Sequence, residues 1–281
     1  TEGRVKSEMH FSGALSPAKE QIVSLQTGLF DMGPVSVGYA PGKTPLLSIT
    51  ELPFISPSHV ALGKAFFDYN EWTEVTSELQ RWNVKFIGPG CVPNKDLMSS
   101  VPVRNLKDLK GLKIHATGPR VKSLEAVGAT PVSIPGPEMF TAIERGTIDG
   151  VILPYYAMGS YSIYEAGKYI TALETGAFAL PWLINLDFWN KLPPDIQGIM
   201  MNLAVQVPDK YAEVYEKVDK EWVEKFRKAG VEFIELTPDE LAMLKQTAQP
   251  VWDNWVKDKN DKGLPGTKAL SIFLSSVRKY E

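Results

Sequence analysis

Cysteine and histidine, the residue types most typical of zinc sites, occur only four times in the chain, as Cys91, His10, His59 and His115. A zinc site needs such ligands in a cluster, but the histidines are widely separated and form no His-x-x-x-His pair. No His and Asp follow Cys91 in a nucleophile arrangement, so we interpret it as a small buried apolar residue. The sequence therefore predicts no metal site and no cysteine nucleophile.

Other catalytic signatures are also missing. The sequence contains no phosphate-binding glycine loop, and no dinucleotide fingerprint opens a predicted helix. Segment Gly33–Gly38 reads GPVSVG, which has the wrong order for the Gly-x-Ser-x-Gly elbow of hydrolases. We therefore predict that the chain is not an enzyme and uses no cofactor. A small-molecule enzyme on a two-lobed scaffold is the alternative from a different class, and it would convert the ligand that it binds.

The bulk composition is that of an ordinary globular protein, with 281 residues of which 44% are hydrophobic and 22% charged. The 30 basic and 33 acidic residues give a net charge of −3, and without a basic patch we expect no nucleic-acid partner. The longest apolar runs, such as Phe178–Ile184, are too short to span a membrane. No signal peptide is visible, which indicates a processed or trimmed form.

Strand-like and helix-like segments alternate along the chain, and this alternation predicts an α/β fold with largely parallel sheets. The predicted strands are Arg4–Phe11, Asp31–Val37, Leu46–Leu52, Val84–Gly88, Gly111–Ala116, Thr130–Ile134, Gly150–Leu153 and Val231–Leu236. The predicted helices of this part are a segment capped by Ser16 and Pro17 that runs to Thr27, then His59–Phe67, Trp72–Trp82, Arg120–Val127 and Pro137–Arg145.

The C-terminal third is predicted to be mostly helical. A long helix begins at Pro208 and carries aromatic and apolar residues every three or four positions on one face. Residues Thr237–Glu240 form a capping box for the next helix, whose apolar face continues to Trp252 and Trp255. We interpret these aromatic residues as core rather than as a ligand stack.

Seven segments, in the right order, resemble the solute-binding subunit of tripartite ATP-independent periplasmic (TRAP) transporters of the DctP type. The strongest reads VRNLKDLKGLKI and covers Val103–Ile114. The others are Gly28–Gly33, Glu51–Phe54, Ala126–Val132, Glu138–Ile143, Gly146–Gly150 and Trp189–Asp195. Each segment is weak alone, and their common order makes the resemblance specific over essentially the whole chain.

The resemblance implies a periplasmic protein with two α/β lobes that close over a small organic acid, crossed by a long helix. Lobe I is expected to comprise residues 1–92 plus about 182–220, and lobe II residues 93–181 plus about 221–281. Judged by family length, the first strand and helix of lobe I are expected to be missing. The implied partner is a TRAP membrane permease, and a receptor of the same fold that serves a sensor kinase is the alternative.

The resemblance also implies a ligand site, where this sequence departs from the family. The family grips a carboxylate with an arginine just after GLKI, and the position is His115 here. A second family arginine upstream corresponds to Lys95, and Arg120 could restore the lost guanidinium fork. The remaining expected ligand-binding residues are Ser36, Tyr39, Leu153, Tyr155, Tyr156, Phe178 and Trp182. This set indicates a monocarboxylate with an apolar or aromatic body.

Overall fold

The computed structural model describes residues 1–11 and 13–281. The strands are β1 (Met32–Pro34), β2 (Val84–Val92), β3 (Asp96–Ser99), β4 (Lys113–His115), β5 (Thr130–Val132), β6 (Gly150–Leu153), β7 (Tyr169–Ala172), β8 (Phe178–Asn185) and β9 (Glu232–Glu235). The helices are α1 (Gln21–Gln26), α2 (His59–Asn70), α3 (Thr73–Arg81), α4 (Arg120–Ala126), α5 (Met139–Glu144), α6 (Tyr155–Ser160), α7 (Ile163–Ala166), α8 (Leu186–Lys191), α9 (Pro194–Ala204), α10 (Val207–Lys228), α11 (Pro238–Gln246), α12 (Ala248–Asp261) and α13 (Gly266–Tyr280). Short 3-10 turns lie at Val37–Tyr39, Leu47–Glu51, Leu106–Leu109 and Gly136–Glu138.

Two sheets define two lobes. Lobe I contains the antiparallel sheet β1-β8-β2. Lobe II contains the six-stranded sheet β5-β4-β6-β3-β7-β9. In lobe II the pairs β4/β5, β4/β6 and β7/β9 are parallel, while β3 runs antiparallel to both of its neighbours. The predicted α/β alternation is therefore present, with mixed rather than largely parallel pairing.

Local sequence signals set several helix ends. The side chain of Ser58 accepts a hydrogen bond from the Ala61 backbone N–H and begins α2. Thr237 and Glu240 form the predicted reciprocal capping box at the start of α11. Such caps satisfy backbone N–H groups that have no partner within the helix.

The C-terminal helices belong to the core of lobe I. Trp255 of α12 and Phe273 of α13 lie in one apolar cluster with Phe66 and Tyr69 of α2, and Phe273 meets Tyr69 edge to face at 5.2 Å. The sequence-based boundary assigned residues 221–281 to lobe II, whereas this packing joins residues 248–280 to lobe I. The sequence contains no sign that the chain goes back to lobe I at residue 248, because no Pro-, Gly- or Ser-rich linker precedes α12.

Four segments connect the lobes, and the last joins α11 of lobe II to α12 of lobe I at Thr247. The first joins β2 to β3 through Pro93, Asn94 and Lys95, and the second joins β7 to β8 through residues 173–177. These two crossings are bonded to each other, because Asn94 Oδ1 accepts from the Gly176 N–H at 2.8 Å and the Lys95 carbonyl accepts from Thr175 Oγ1 at 3.0 Å. The two crossings are therefore tied side by side and must bend together.

The third connection is the long helix α10. Its first half packs against α2 and β2 of lobe I. Its second half buries Phe226 and half-buries Trp222 in the core of lobe II. This is the lobe-crossing helix that the family resemblance implied.

Several local predictions are wrong. Arg4–Phe11 forms no strand and is exposed along its length, because its alternating residues find no neighbouring strand. The helix predicted from Ser16 begins only at Gln21. Leu46–Leu52 is not extended: it forms a buried 3-10 helix over Leu47–Glu51, and short apolar runs do not distinguish strand from helix. Trp252 and Trp255 lie on a separate helix, α12.

Replacing a helical glycine with alanine should have opposite effects on stability at Gly159 and at Gly198. A Cβ at Gly159 in α6 would overlap the Trp222 ring, while one at Gly198 in α9 would meet nothing within 4 Å. We expect Gly159→Ala to lower the free energy of unfolding by about 2–3 kcal/mol through overpacking. Gly198→Ala, the matched control, should raise it by about 0.5–1 kcal/mol. Urea unfolding monitored by tryptophan fluorescence measures both, and equal changes would contradict the packing at Gly159.

Candidate functional site

Five side chains converge where the lobes meet. They are Lys95, His115, Arg120 and Phe178, which were predicted from the sequence, together with Glu51, which was not. Each is at most 9% exposed. We call these five residues the interlobe cluster.

Strand and helix ends place the cluster. His115 ends β4 and Arg120 begins α4, so the loop between them carries both side chains from lobe II. Lys95 lies on the first crossing and Phe178 begins β8 just after the second. Glu51 ends the 3-10 helix of lobe I. The two bonded crossings therefore place residues directly at the cluster.

Arg120 and Glu51 form a buried ion pair across the lobes. Arg120 Nη1 donates to Glu51 Oε2 at 2.7 Å and to the Glu51 carbonyl oxygen at 3.1 Å. Arg120 Nη2 donates to the Ala177 carbonyl oxygen at 3.3 Å. Only Nε is buried without a partner. The guanidinium fork that we expected to receive a ligand is thus largely occupied by the chain itself.

Lys95 is the cation of the cluster that remains available. Within the described residues its Nζ makes no hydrogen bond or ion pair, and it lies 3.5 Å from the centre of the Phe178 ring. Burial, and next the charge of Arg120, lower the pKa of Lys95 to about 7, while Glu51 acts in the opposite direction. A buried ammonium without a hydrogen-bonded counterion is costly, so the site favours an incoming anion.

His115 is a neutral donor beside Lys95. Burial, and next the charge of Lys95, lower the pKa of His115 to about 4. Its Nδ1 accepts the Ile134 backbone N–H at 3.1 Å. The neutral ring therefore carries its proton on Nε2 and can donate one hydrogen bond.

An aromatic group adjoins the cluster. Tyr156 of α6 stacks on Tyr215 of α10 with ring centres 5.1 Å apart, and Tyr215 stacks on Tyr211 at 5.3 Å. Tyr39 lies between this group and the cluster, since Tyr161 and Glu51 both act electrostatically on its hydroxyl. Trp182 packs on Gly90 in the sheet of lobe I. Tyr161 acts on both Tyr39 and Tyr156, so rings from both lobes are linked to the Glu51 side of the cluster.

Three of the predicted residues lie neither in the cluster nor in the adjoining aromatic group. Tyr155 packs in the core of lobe II, and its hydroxyl donates to Asp96 Oδ2 at 2.9 Å. Leu153 packs in the same core as a half-buried residue. Ser36 contributes its backbone N–H to Gln21 Oε1. A strand-end position alone could not distinguish these side chains from pocket-facing ones.

Sequence reasoning missed Glu51, Tyr211 and Tyr215. Glu51 was noted only as part of a motif, although an acid within the apolar run Leu46–Leu52 signals a buried charge that needs a partner. The two tyrosines were interpreted as core because they follow the helical period of α10. In the described part of the chain, His, Cys, Asp and Glu form no group of three or more that could hold a metal.

The sequence profile of the bacterial extracellular solute-binding proteins, family 7, matches residues 1–259. The chain therefore belongs to this family, the DctP-type solute-binding proteins of TRAP transporters. This confirms the resemblance and, because the family consists of solute-binding proteins, the expectation that the chain is not an enzyme.

Individual relatives agree with this assignment. The C4-dicarboxylate-binding periplasmic protein DctP of Rhodobacter capsulatus is 25% identical over 96% of this chain and 82% of its own length. A TRAP solute-binding protein from Desulfovibrio salexigens is 28% identical, with a TM-score of 0.81 over 100% of this chain and 87% of that chain.

A third relative is a marine metagenome TRAP protein specific for aromatic acids, solved with 3-hydroxybenzoate. It is 25% identical, with a TM-score of 0.85 over 95% of this chain and 84% of that chain. These similarities confirm the two-lobed α/β fold. None of the helices in residues 1–11 and 13–281 combines the length and apolar character needed to cross a bilayer.

Proposed function

We propose that this chain is the periplasmic receptor of a TRAP transporter and that it captures a small organic acid with one carboxylate and an apolar or aromatic body. Lobe closure traps the acid, and the closed protein delivers it to the membrane permease. The observation that carries the proposal is the buried ammonium of Lys95, which has no polar partner among the described residues and lies over Phe178.

The chemistry of the cluster supports an acid as ligand. A carboxylate placed at Lys95 would receive a charge-assisted hydrogen bond at a largely buried side chain, where such bonds are strong. His115 supplies a neutral donor beside it. Because neither group is a guanidinium fork, the carboxylate would be held by two separate donors rather than by one bidentate pair.

The surroundings of Lys95 support an apolar or aromatic body. The centre of the Phe178 ring lies 3.5 Å from the ammonium, and Tyr39 adjoins the cluster at Glu51. The relatives include a C4-dicarboxylate-binding protein and a receptor specific for aromatic acids. The rings of this chain favour the second kind of ligand.

Closure follows from where the donors lie. Lys95 is on a crossing and His115 is on lobe II, while Tyr39 and Glu51 belong to lobe I. A ligand that contacts both sides stabilises the closed arrangement only by its greater affinity for that arrangement. The bonded pair of crossings supplies the hinge.

A thermal-shift screen followed by calorimetry tests the proposal. We expect benzoate, 3-hydroxybenzoate or a branched-chain 2-oxo acid to raise the melting temperature by several degrees, since ligand at 100 times Kd adds about 2.7 kcal/mol of stability. Succinate and galacturonate should have smaller effects. Binding of succinate without any response to aromatic or branched acids would refute the proposed ligand class.

A further inference from the structure

Glu51 gives the interlobe cluster an unusual charge balance. The cluster contains two cations, Lys95 and Arg120, and one carboxylate, Glu51, while His115 is neutral. With Lys95 protonated, the net charge of the cluster is therefore +1 rather than +2. The charge left over is located at Lys95, because Arg120 is paired with Glu51 at 2.7 Å.

The carboxylate of Glu51 is held by a close fit between the lobes. A Cβ at Gly38 would lie 3.1 Å from Glu51 Oε1 and 3.1 Å from Thr117 Oγ1. Gly118 has a φ of +61° and packs against the Glu51 side chain. A Cβ added at Gly118 would lie 3.4 Å from Glu51 Cβ. Two backbone positions without side chains therefore leave the room that Glu51 fills.

Arg120 is the only described residue that forms a hydrogen bond with the Glu51 carboxylate. This carboxylate caps no helix and binds no backbone N–H among the described residues, in contrast to Glu78, which accepts from the N–H groups of Leu46 and Leu47. The Glu51 carboxylate therefore contributes to the structure through its pairing with Arg120, which joins the two lobes.

We infer that Glu51 is a specificity-determining residue that occupies Arg120 and thereby restricts the site to ligands with a single carboxylate. The inference rests on the proposed function, because it concerns the charge of the acid captured at Lys95. A second carboxylate on the ligand would find the guanidinium already paired and would lie near the like charge of Glu51, which is 3% exposed. Repulsive groups of this kind discriminate between ligands as effectively as attractive ones.

Removing only the charge of Glu51 should allow the site to bind ligands with two carboxylates. Glu51→Gln keeps the shape of the side chain but leaves Arg120 without its counterion, so the cluster charge becomes +2. Two ligand pairs that differ by one carboxylate serve as probes: benzoate with isophthalate, and butyrate with succinate. We expect the ratio of Kd for the monoacid to Kd for the diacid to rise at least about tenfold in Glu51→Gln, measured by calorimetry.

Two further variants make the result specific. Glu125→Gln removes an exposed carboxylate from α4, the helix that begins at Arg120, and should leave the ratio unchanged. The double variant Glu51→Gln with Arg120→Gln removes the whole pair and restores a cluster charge of +1. It should keep the preference for monoacids, and it tests the role of the pair even if Glu51→Gln alone does not fold.

The outcomes separate this inference from the proposed function. Monoacid binding by the wild type, with an unchanged ratio in Glu51→Gln, overturns the role of Glu51 and leaves the proposed function intact. A double variant that gains diacid binding overturns the inference as well. If the wild type binds none of the four acids and no other carboxylate, the proposed function itself fails, and the inference fails with it.

Discussion

Replacing Lys95 with Met is expected to weaken carboxylate binding by about 100-fold or more, because truncating one partner of a desolvated charge pair typically costs about 2–5 kcal/mol. The same substitution should make the ligand-free protein more stable. Lys95 is 7% exposed and its ammonium has no polar partner in the described residues, so Met removes a desolvation cost while retaining most of the side-chain volume. Calorimetry gives the loss of affinity and a thermal melt gives the gain in stability.

A second lysine offers a matched control for Lys95→Met. Lys85 of β2 also lies over an aromatic ring, with its Nζ 5.3 Å from the centre of Trp189, but it is outside the interlobe cluster. Lys85→Met should leave ligand affinity unchanged. If Lys95→Met binds the ligand as tightly as the wild type, Lys95 is not the anchor of the carboxylate.

Affinity for the acid should fall by about tenfold for each pH unit above 7, reaching about 100-fold at pH 9. Burial, and next the charge of Arg120, lower the pKa of Lys95 to about 7 in the ligand-free protein. Above that pH the carboxylate must bind together with a proton. His115 and Tyr39 do not titrate in this range, because burial chiefly places the pKa of His115 at about 4 and that of Tyr39 at about 12.

The lowered pKa of Lys95 also predicts how the stability of the ligand-free protein changes with pH. The pKa of Lys95 is below its unfolded value of 10.5, so between pH 7 and 10.5 the unfolded chain binds more protons than the folded one. The contribution of Lys95 to the unfolding free energy therefore rises with pH across this window. Its destabilising effect is fully present below pH 7. In Lys95→Met this part of the pH dependence should disappear.

Calorimetry in two buffers distinguishes proton uptake from other pH effects. At pH 8 the binding enthalpy should differ between phosphate and Tris in proportion to nearly one proton bound per ligand. In Lys95→Arg the guanidinium stays charged, so the difference should vanish whatever the affinity. A wild-type affinity that stays constant from pH 7 to pH 9 would contradict the titration of Lys95.

Much of the fold could be predicted from local patterns. The helix at His59, the strand at Val84 and the capping box at Thr237 all occur where periodicity and cap residues indicated them. The return of α12 and α13 to lobe I could not be predicted in this way, because it depends on the fit of Trp255 and Phe273 against α2. Such tertiary packing leaves no local signal along the chain.

The sequence indicated which basic residues lie at the candidate site, but it did not indicate which side chains they contact. Lys95, His115 and Arg120 lie in one cluster, and their part in ligand binding stays a prediction. Their roles differ from the expectation, because a sequence does not show that Glu51 reaches across the lobes to pair with Arg120. Tyr155 illustrates the same limit: its position at a strand end suggested the cleft, but its hydroxyl is bonded to Asp96 in the core.

The bond between Asn94 and Gly176 has a practical consequence for anyone who converts this receptor into a biosensor. A reporter dye attached at exposed Glu174, two residues before that bond, would be at the point where bending is concentrated and would respond strongly to capture. Retuning the receptor for an uncharged target need not disturb this signal. Lys95 lies in the same tied segment, but its bond to Thr175 uses the backbone carbonyl, which every substitution of the side chain keeps.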